Sequence, residues 1–178
     1  TIAAQGAAKA AFTNSGQVCL CGSRILVADA IYDEFVEKLV SEVSNMTVGN
    51  PQLTDTDIGS VISQEHMNKI LSYIDLAANE HGRILTGGKQ LSLPKPNADG
   101  AFIAPTLIDR IPIDSRCATE EIFGPVATIH RFSSDEEAID MANLTQYGLA
   151  GSVWTSNIER GKAVAEQVES GILWVNTW

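Results

Sequence analysis

Cys19 lies in the stretch Phe12-Thr-Asn-Ser-Gly-Gln-Val-Cys-Leu-Cys-Gly-Ser-Arg24, where small and apolar residues give way to a polar break around Gly16 and then to a second apolar run. That order predicts a helix, a tight turn and the entry to a strand, with the cysteine on the turn. A thiol carried there can meet a substrate from solvent, which one inside a core strand cannot. The thiolate is a strong nucleophile, and a nearby cation or helix N-terminus lowers its pKa from about 8.5. Backbone N–H groups of a tight turn can also stabilise a developing oxyanion. By residue type alone, two other roles stay open for Cys19. A lone cysteine is commonly a small buried hydrophobe. With Cys21 it could also begin a Cys-x-Cys metal pair, although no matching Cys or His pair follows at ligand spacing, which argues against zinc.

A second constellation is Glu120-Glu121-Ile-Phe-Gly-Pro-Val126. In an extended segment Glu121 and Phe123 point to one face, and Gly124-Pro125 then turns the chain. A carboxylate can accept hydrogen bonds from both hydroxyls of a ribose, and an aromatic ring can pack against the sugar. The plain alternative is an exposed carboxylate beside a core phenylalanine. Glu120 reads as a solvated neighbour. Lys69 and His66 read as surface residues of an amphipathic helix, and neither His81 nor His130 has an evident partner.

The elements that must hold these residues follow from pattern. Thr1 to Phe12 is alanine-rich and helical, and Arg24 to Ala28 is a strand. Ile31, Phe35, Leu39 and Val43, flanked by Val36 and Val40, form one helical stripe, with Asp29 as a candidate N-cap. Val48-Gly-Asn-Pro51 ends that unit and a polar loop follows. Met67, Ile70, Leu71, Ile74 and Ala78 form a second stripe, closed by Gly82. Arg83 to Thr86 is a short strand, Gly87-Gly88 a turn and Leu91 to Gly100 an exposed loop. Phe102 to Ile111 contains Pro105, which limits it to a broken or edge strand. Ala127 to Phe132 is a strand. Ser134 with Glu137 and Ser156 with Glu159 have capping-box spacing, the first helix running towards Leu144 and the second carrying Val164 and Val168 inward. Ser152 to Thr155 and Ile172 to Val175 are strands. The alternation predicts an α/β fold, a mainly parallel open sheet with helices on both faces.

Composition excludes several classes. The 178 residues carry a net charge of −10, which opposes nucleic acid or an anionic membrane as partner. No apolar run approaches the roughly 20 residues of a membrane helix. Three cysteines do not make a disulfide framework in a chain of this length, so a reducing cytoplasm is the expected location. No Gly-x-Gly-x-x-Gly or Walker loop is present, and no signal peptide is read at Thr1. Thr1 opens inside a helical pattern and Trp178 follows directly on a strand-like run, so the sequence reads as a piece of a longer chain.

Four motifs resemble one family. Phe12-x-Asn14-x-Gly16-Gln17-x-Cys19 is similar to the active-site cysteine signature of the aldehyde dehydrogenase superfamily, and Glu120 to Val126 resembles its nicotinamide-ribose motif. Asn143-x-x-x-Tyr147-Gly148-Leu149-Ala150 and Gly171-x-x-Trp174-Val175-Asn176 match in the family's order and spacing. The resemblance covers the whole chain. It implies that residues 1–178 are the catalytic, C-terminal-domain portion, with the cofactor-binding domain and a C-terminal tail outside this sequence.

The resemblance also implies a reaction. An aldehyde is oxidised to a carboxylic acid with NAD, or NADP as the alternative, through a hemithioacetal and then a thioester on Cys19. Glu121 binds the nicotinamide ribose, Phe123 packs beside it, and Lys69 lies near the adenine ribose. The family's oxyanion Asn and general-base Glu precede Thr1, so this piece by itself is expected to be inactive. Leu20-Cys21, the Leu91-Ser-Leu-Pro94 loop and Asn176-x-Trp178 look most like the branch acting on 2-hydroxymuconic or 2-aminomuconic semialdehyde. Val18 and Leu20 are expected to line the substrate pocket and Trp178 to sit at its mouth or in the core. The implied partners are a small aldehyde and further copies of the full-length protein. A non-catalytic assembly module and a relative passing the acyl group to coenzyme A or phosphate are the competing readings.

Overall fold

Helix α1 (Ile2–Phe12) buries Ala4, Ala8, Ala11 and Phe12, a spacing of three to four residues that places small side chains on one stripe and lets the helix lie close to its neighbours. The computed structural model describes residues 2–178; Thr1, the expected first residue of this helix, lies outside them. Strand β1 (Arg24–Ala28) follows, then helix α2 (Tyr32–Ser44) and helix α3 (Gln64–Asn79). Four short strands come next: β2 (Arg83–Thr86), β3 (Gln90–Leu91), β4 (Phe102–Ile103) and β5 (Thr106–Asp109). The rest of the chain is helix α4 (Arg116–Thr119), strand β6 (Val126–Phe132), helix α5 (Asp135–Ala142), strand β7 (Ala150–Val153), helix α6 (Ile158–Ala165) and strand β8 (Ile172–Val175).

The main sheet has the order β1-β6-β5-β2, with β1, β6 and β5 parallel and β2 antiparallel at one edge. Helices cover both faces, and the alternation along the strands assigns each residue to a side. Leu107, Ala127 and Ile129 pack with Val27, Leu39 and Val43 under α1 and α2. Ile108 and Val126 pack with Met67, Ile70, Ile74 and Ala77 under α3. Full burial of each Val, Leu, Ile or Met side chain among these is worth about 1.5–3 kcal/mol. The fold is thus the expected α/β arrangement. The strands β7 and β8 nevertheless form their own two-stranded parallel sheet, and β3 with β4 an antiparallel pair, rather than extending one continuous sheet.

Several local expectations are corrected. Pro105 breaks its strand in two, as expected, and only the edge alternative fails. It falls between β4 and β5, where its missing N–H removes no ladder bond, and β5 then runs buried through the sheet between β6 and β2. The α2 stripe is Tyr32, Val36, Leu39 and Val43, while Ile31 is exposed. Asp29 caps nothing; it faces Arg131 at 3.8 Å, and the helix begins without a side-chain cap. In α3, Tyr73 and Ala77 are buried and Ala78 is exposed. The left-handed residue ending α3 is His81 (φ 63°), with Gly82 N–H donating to Ala77 O at 2.8 Å. Helix α6 is capped by Asn157, not Ser156: Asn157 Oδ1 accepts from Arg160 N at 3.1 Å. The Ser134 cap of α5 forms as expected, although Glu137 reaches back to Ser133 N at 2.7 Å instead of to Ser134.

Candidate active site

After α1 the backbone takes three left-handed residues in a row: Asn14 (φ 52°), Ser15 (φ 58°) and Gly16 (φ 69°). For non-glycine residues this conformation is disfavoured by about 1–2 kcal/mol each, and each is held by a specific bond. Asn14 Nδ2 donates to Gln17 O at 3.1 Å, and Ser15 Oγ donates to Gly59 O at 3.0 Å. Gly16 is required by space as well. A Cβ there would lie 2.0 Å from Gly124 O, so the two loops touch backbone to backbone.

The chain then makes a turn closed by Cys21 N–H to Val18 O at 2.9 Å, and Cys19 is exposed on it. Among the described residues, the backbone bonds here come from Gln17, Cys21, Gly22 and Ser23, which leaves the Cys19 N–H uncommitted. Cys21 is half-buried with its thiol 3.9 Å from Thr13 O, and burial pushes its pKa up. Cys117 is buried with Sγ 3.1 Å from Tyr73 O, and burial pushes it up too.

The second loop is anchored from α4 and α3. Glu120 is more than a solvated neighbour. It accepts Tyr73 Oη at 2.6 Å and Arg116 Nε and Nη2 at 2.8 and 3.0 Å, and these bonds, Arg116 first, hold its carboxyl down to about 2. The Arg116–Glu120 pair has i, i+4 spacing and was readable in the sequence; Tyr73 lies far away along the chain and was not. Glu121 is exposed, and its carboxylate makes no hydrogen bond among the described residues, while its backbone carbonyl accepts from Lys69 Nζ at 3.4 Å. Phe123 is half-buried and left-handed (φ 59°), and His66 Nε2 lies 2.7 Å from its carbonyl oxygen. In the sequence His66 reads as a surface histidine, at a position where many members of the resembling family carry Gln.

The two loops meet at a small cleft of about 60 Å³ whose walls include Val18, Cys19 and Cys21 on one side and Glu121 and Phe123 on the other. The thiol and the carboxylate–aromatic pair, some hundred residues apart in sequence, therefore share one site. Ligand pockets usually hold 300–1,000 Å³, so this cleft by itself is smaller than a usual ligand site. Leu20 and Trp178 do not line this cleft. They are joined to each other, Trp178 Nε1 donating to Leu20 O at 2.8 Å across the back of the Cys19 turn. Lys69 stands on α3 behind the Glu121 loop. A larger cleft of about 250 Å³ between α1 and α2 carries Lys9, Glu42 and Asp57 but no thiol or histidine. Among the described residues no group of three His, Cys, Asp or Glu side chains converges on a metal position, and no helix is long and apolar enough to cross a membrane.

Glu121 thus leaves a carboxylate acceptor without a partner among the described residues, on the same cleft as the half-buried Phe123 ring.

Comparison with known proteins gives a consistent relationship. The chain is 44% identical over 172 residues to a 2-aminomuconic semialdehyde dehydrogenase of Mus musculus and 40% identical over 176 residues to a 2-hydroxymuconic semialdehyde dehydrogenase of Pseudomonas sp. strain CF600, covering 96% and 99% of this chain. It spans only 35% and 36% of those relatives' lengths. Betaine aldehyde dehydrogenase from Staphylococcus aureus, solved in complex with NAD+, superposes at a TM-score of 0.94 with 40% identity, over 99% of this chain and 35% of that one. The profile of the aldehyde dehydrogenase family matches residues 1–178. Matched end to end in sequence and superposed in fold, the chain belongs to the aldehyde dehydrogenase family.

Proposed function

We propose that, within the full-length protein, this chain carries the nucleophile and the nicotinamide-ribose contacts of an NAD-dependent oxidation of an aldehyde to a carboxylic acid. The observation that carries this reading is the convergence of the Cys19 turn and the Glu121–Phe123 loop on one cleft. Glu121 would accept hydrogen bonds from the ribose hydroxyls and Phe123 would pack against the sugar or ring. The bound nicotinamide supplies an acceptor for hydride. The rest is this chain's own chemistry. Cys19 Sγ, as thiolate, attacks the carbonyl carbon and forms a C–S bond. The Cys19 N–H, uncommitted among the described residues, stabilises the developing oxyanion. Loss of hydride from the former aldehyde carbon to that acceptor would leave an acyl group on the sulfur, and water then releases the acid and returns the thiol.

The substrate class is a semialdehyde of aromatic or amino-acid catabolism, a reading supported by the relatives acting on 2-aminomuconic and 2-hydroxymuconic semialdehydes. Because this cleft by itself is smaller than a usual ligand site, turnover is expected of the full-length protein and not of this piece alone.

The test is steady-state NAD reduction by the full-length protein with the two muconic semialdehydes and betaine aldehyde. Cys19→Ala should lower the rate by orders of magnitude. Glu121→Gln keeps the shape but gives up charge-assisted bonds worth about 1.5–3 kcal/mol, so kcat/KM should fall roughly ten- to a hundredfold without a change in melting temperature. Substantial dehydrogenase activity in Cys19→Ala would remove Cys19 from this role.

A further inference from the structure

The strained part of the cleft wall is Phe123, a bulky residue at φ 59° whose neighbour Gly124 has no room to shift. A Cβ on Gly124 would lie 2.4 Å from Ile70 Cδ1, and Gly124 O already abuts Gly16. Left-handed backbone at a residue of this type persists only where surrounding structure over-determines it. The surrounding structure here is the N-terminal half of α3. Its N-cap Ser63 accepts the His66 N–H at 3.1 Å, which starts the helix at this point. Three residues of the next turns then reach the loop: His66 to Phe123 O, Lys69 to Glu121 O, and Ile70 to Gly124. The same end of α3 is tied to the Cys19 loop through Gln17 Oε1, which accepts Ile62 N–H at 3.1 Å.

A carbonyl oxygen can only accept, so the 2.7 Å contact requires a proton on His66 Nε2 and makes His66 the donor. The ring also meets the Phe123 ring edge-on, with centroids 6.4 Å apart. The geometry points to His66 as a positioning residue for the nucleotide-binding wall. By donating to Phe123 O it holds that residue in the left-handed conformation, which sets where the Phe123 ring and the Glu121 carboxylate stand. This rests on the nicotinamide reading of the Glu121–Phe123 loop. The required property is a donor on a side chain of about this reach, not an imidazole.

Two substitutions of similar bulk separate that property from packing. His66→Gln retains an N–H donor and His66→Leu removes it while filling the space; the side chain is half-buried, so either should be accommodated. Amide hydrogen exchange on the nucleotide-free full-length protein reads the loop directly. Peptides spanning Glu120–Val126 should exchange several-fold faster in His66→Leu and at the wild-type rate in His66→Gln. Calorimetric titration should show a Kd for NAD raised about fivefold in His66→Leu, the size of one ordinary hydrogen bond, and restored in His66→Gln. In steady state the loss should fall on the KM for NAD, with kcat nearly unchanged. Unaltered exchange and NAD affinity in His66→Leu, or a His66→Gln variant as impaired as His66→Leu, would overturn the assignment. Absence of NAD binding to the wild-type protein would instead refute the nicotinamide reading on which it stands.

Discussion

The three thiols differ because three different backbones carry them. Cys19 rides an exposed turn, Cys21 is half-buried at the approach to β1, and Cys117 is enclosed under α3. Burial raises the pKa of the latter two and so lowers their thiolate fraction near neutral pH. A brief, limiting dose of iodoacetamide on the folded protein should therefore label Cys19 first, with Cys21 slower and Cys117 slowest, as read by peptide mass spectrometry. Faster labelling of Cys21 or Cys117 would count against Cys19 as the reactive thiol. Unlike these thiols, Glu120 and Glu121 are both exposed adjacent carboxylates, and their partners divide them. Glu120 is committed to Arg116 and Tyr73 as an anchor, which leaves Glu121 free to meet a ligand.

At the level of elements, the site depends on contact between two loops rather than on any one helix or strand. The 13–16 loop and the 120–126 loop touch through Gly16 and Gly124, where no side chain fits between them. Gly16→Ala must both adopt φ 69° with a Cβ and move the Gly124 carbonyl. The expected loss is more than about 2 kcal/mol of stability, seen as a lower melting temperature. Because the loops would separate at the cleft, Cys19 alkylation should change as well. A Gly16→Ala protein with wild-type stability and labelling would mean that the loops yield there without consequence.

For the molecule as a whole, the sheet's two covered faces hold the core and also a titratable group that the chemistry does not use. His130 is buried in β6 with Nε2 3.0 Å from Thr128 Oγ1, and burial, with Arg24 nearby, lowers its pKa from 6.5 to about 4. The unfolded chain takes up this proton as pH falls through about 6.5, whereas the folded protein resists until about 4. Stability is therefore fully present above pH 6.5 and declines as pH drops towards 4, by about 3 kcal/mol across the whole window. Glu120, held at about 2, adds a loss of the same sign in a lower window. Melting temperatures between pH 7 and 4.5 should fall in the wild type and fall less steeply in His130→Gln. Parallel curves would place the acid sensitivity elsewhere.

Spacing along the chain was enough to identify the longer elements, whereas α4 and β3 were not read and the candidate chemistry came from the family resemblance. The period of the apolar residues set α1, α3 and the β1 and β6 strands, because side-chain burial follows local geometry closely. The Cys19 turn was legible for the same reason: Gly16 marks a local backbone requirement. Contacts between distant segments were not legible. Nothing local distinguishes Asn157 from Ser156 as a cap, or shows that the segment after Pro105 would be central, since both depend on which neighbour arrives. The gathering of Cys19 with Glu121 and Phe123, the anchoring of Glu120 by Tyr73 and the His66 bond to Phe123 all join residues tens of positions apart. Such pairings are set when the sheet and α3 pack, because the bulk and backbone shape that decide them belong to both partners at once.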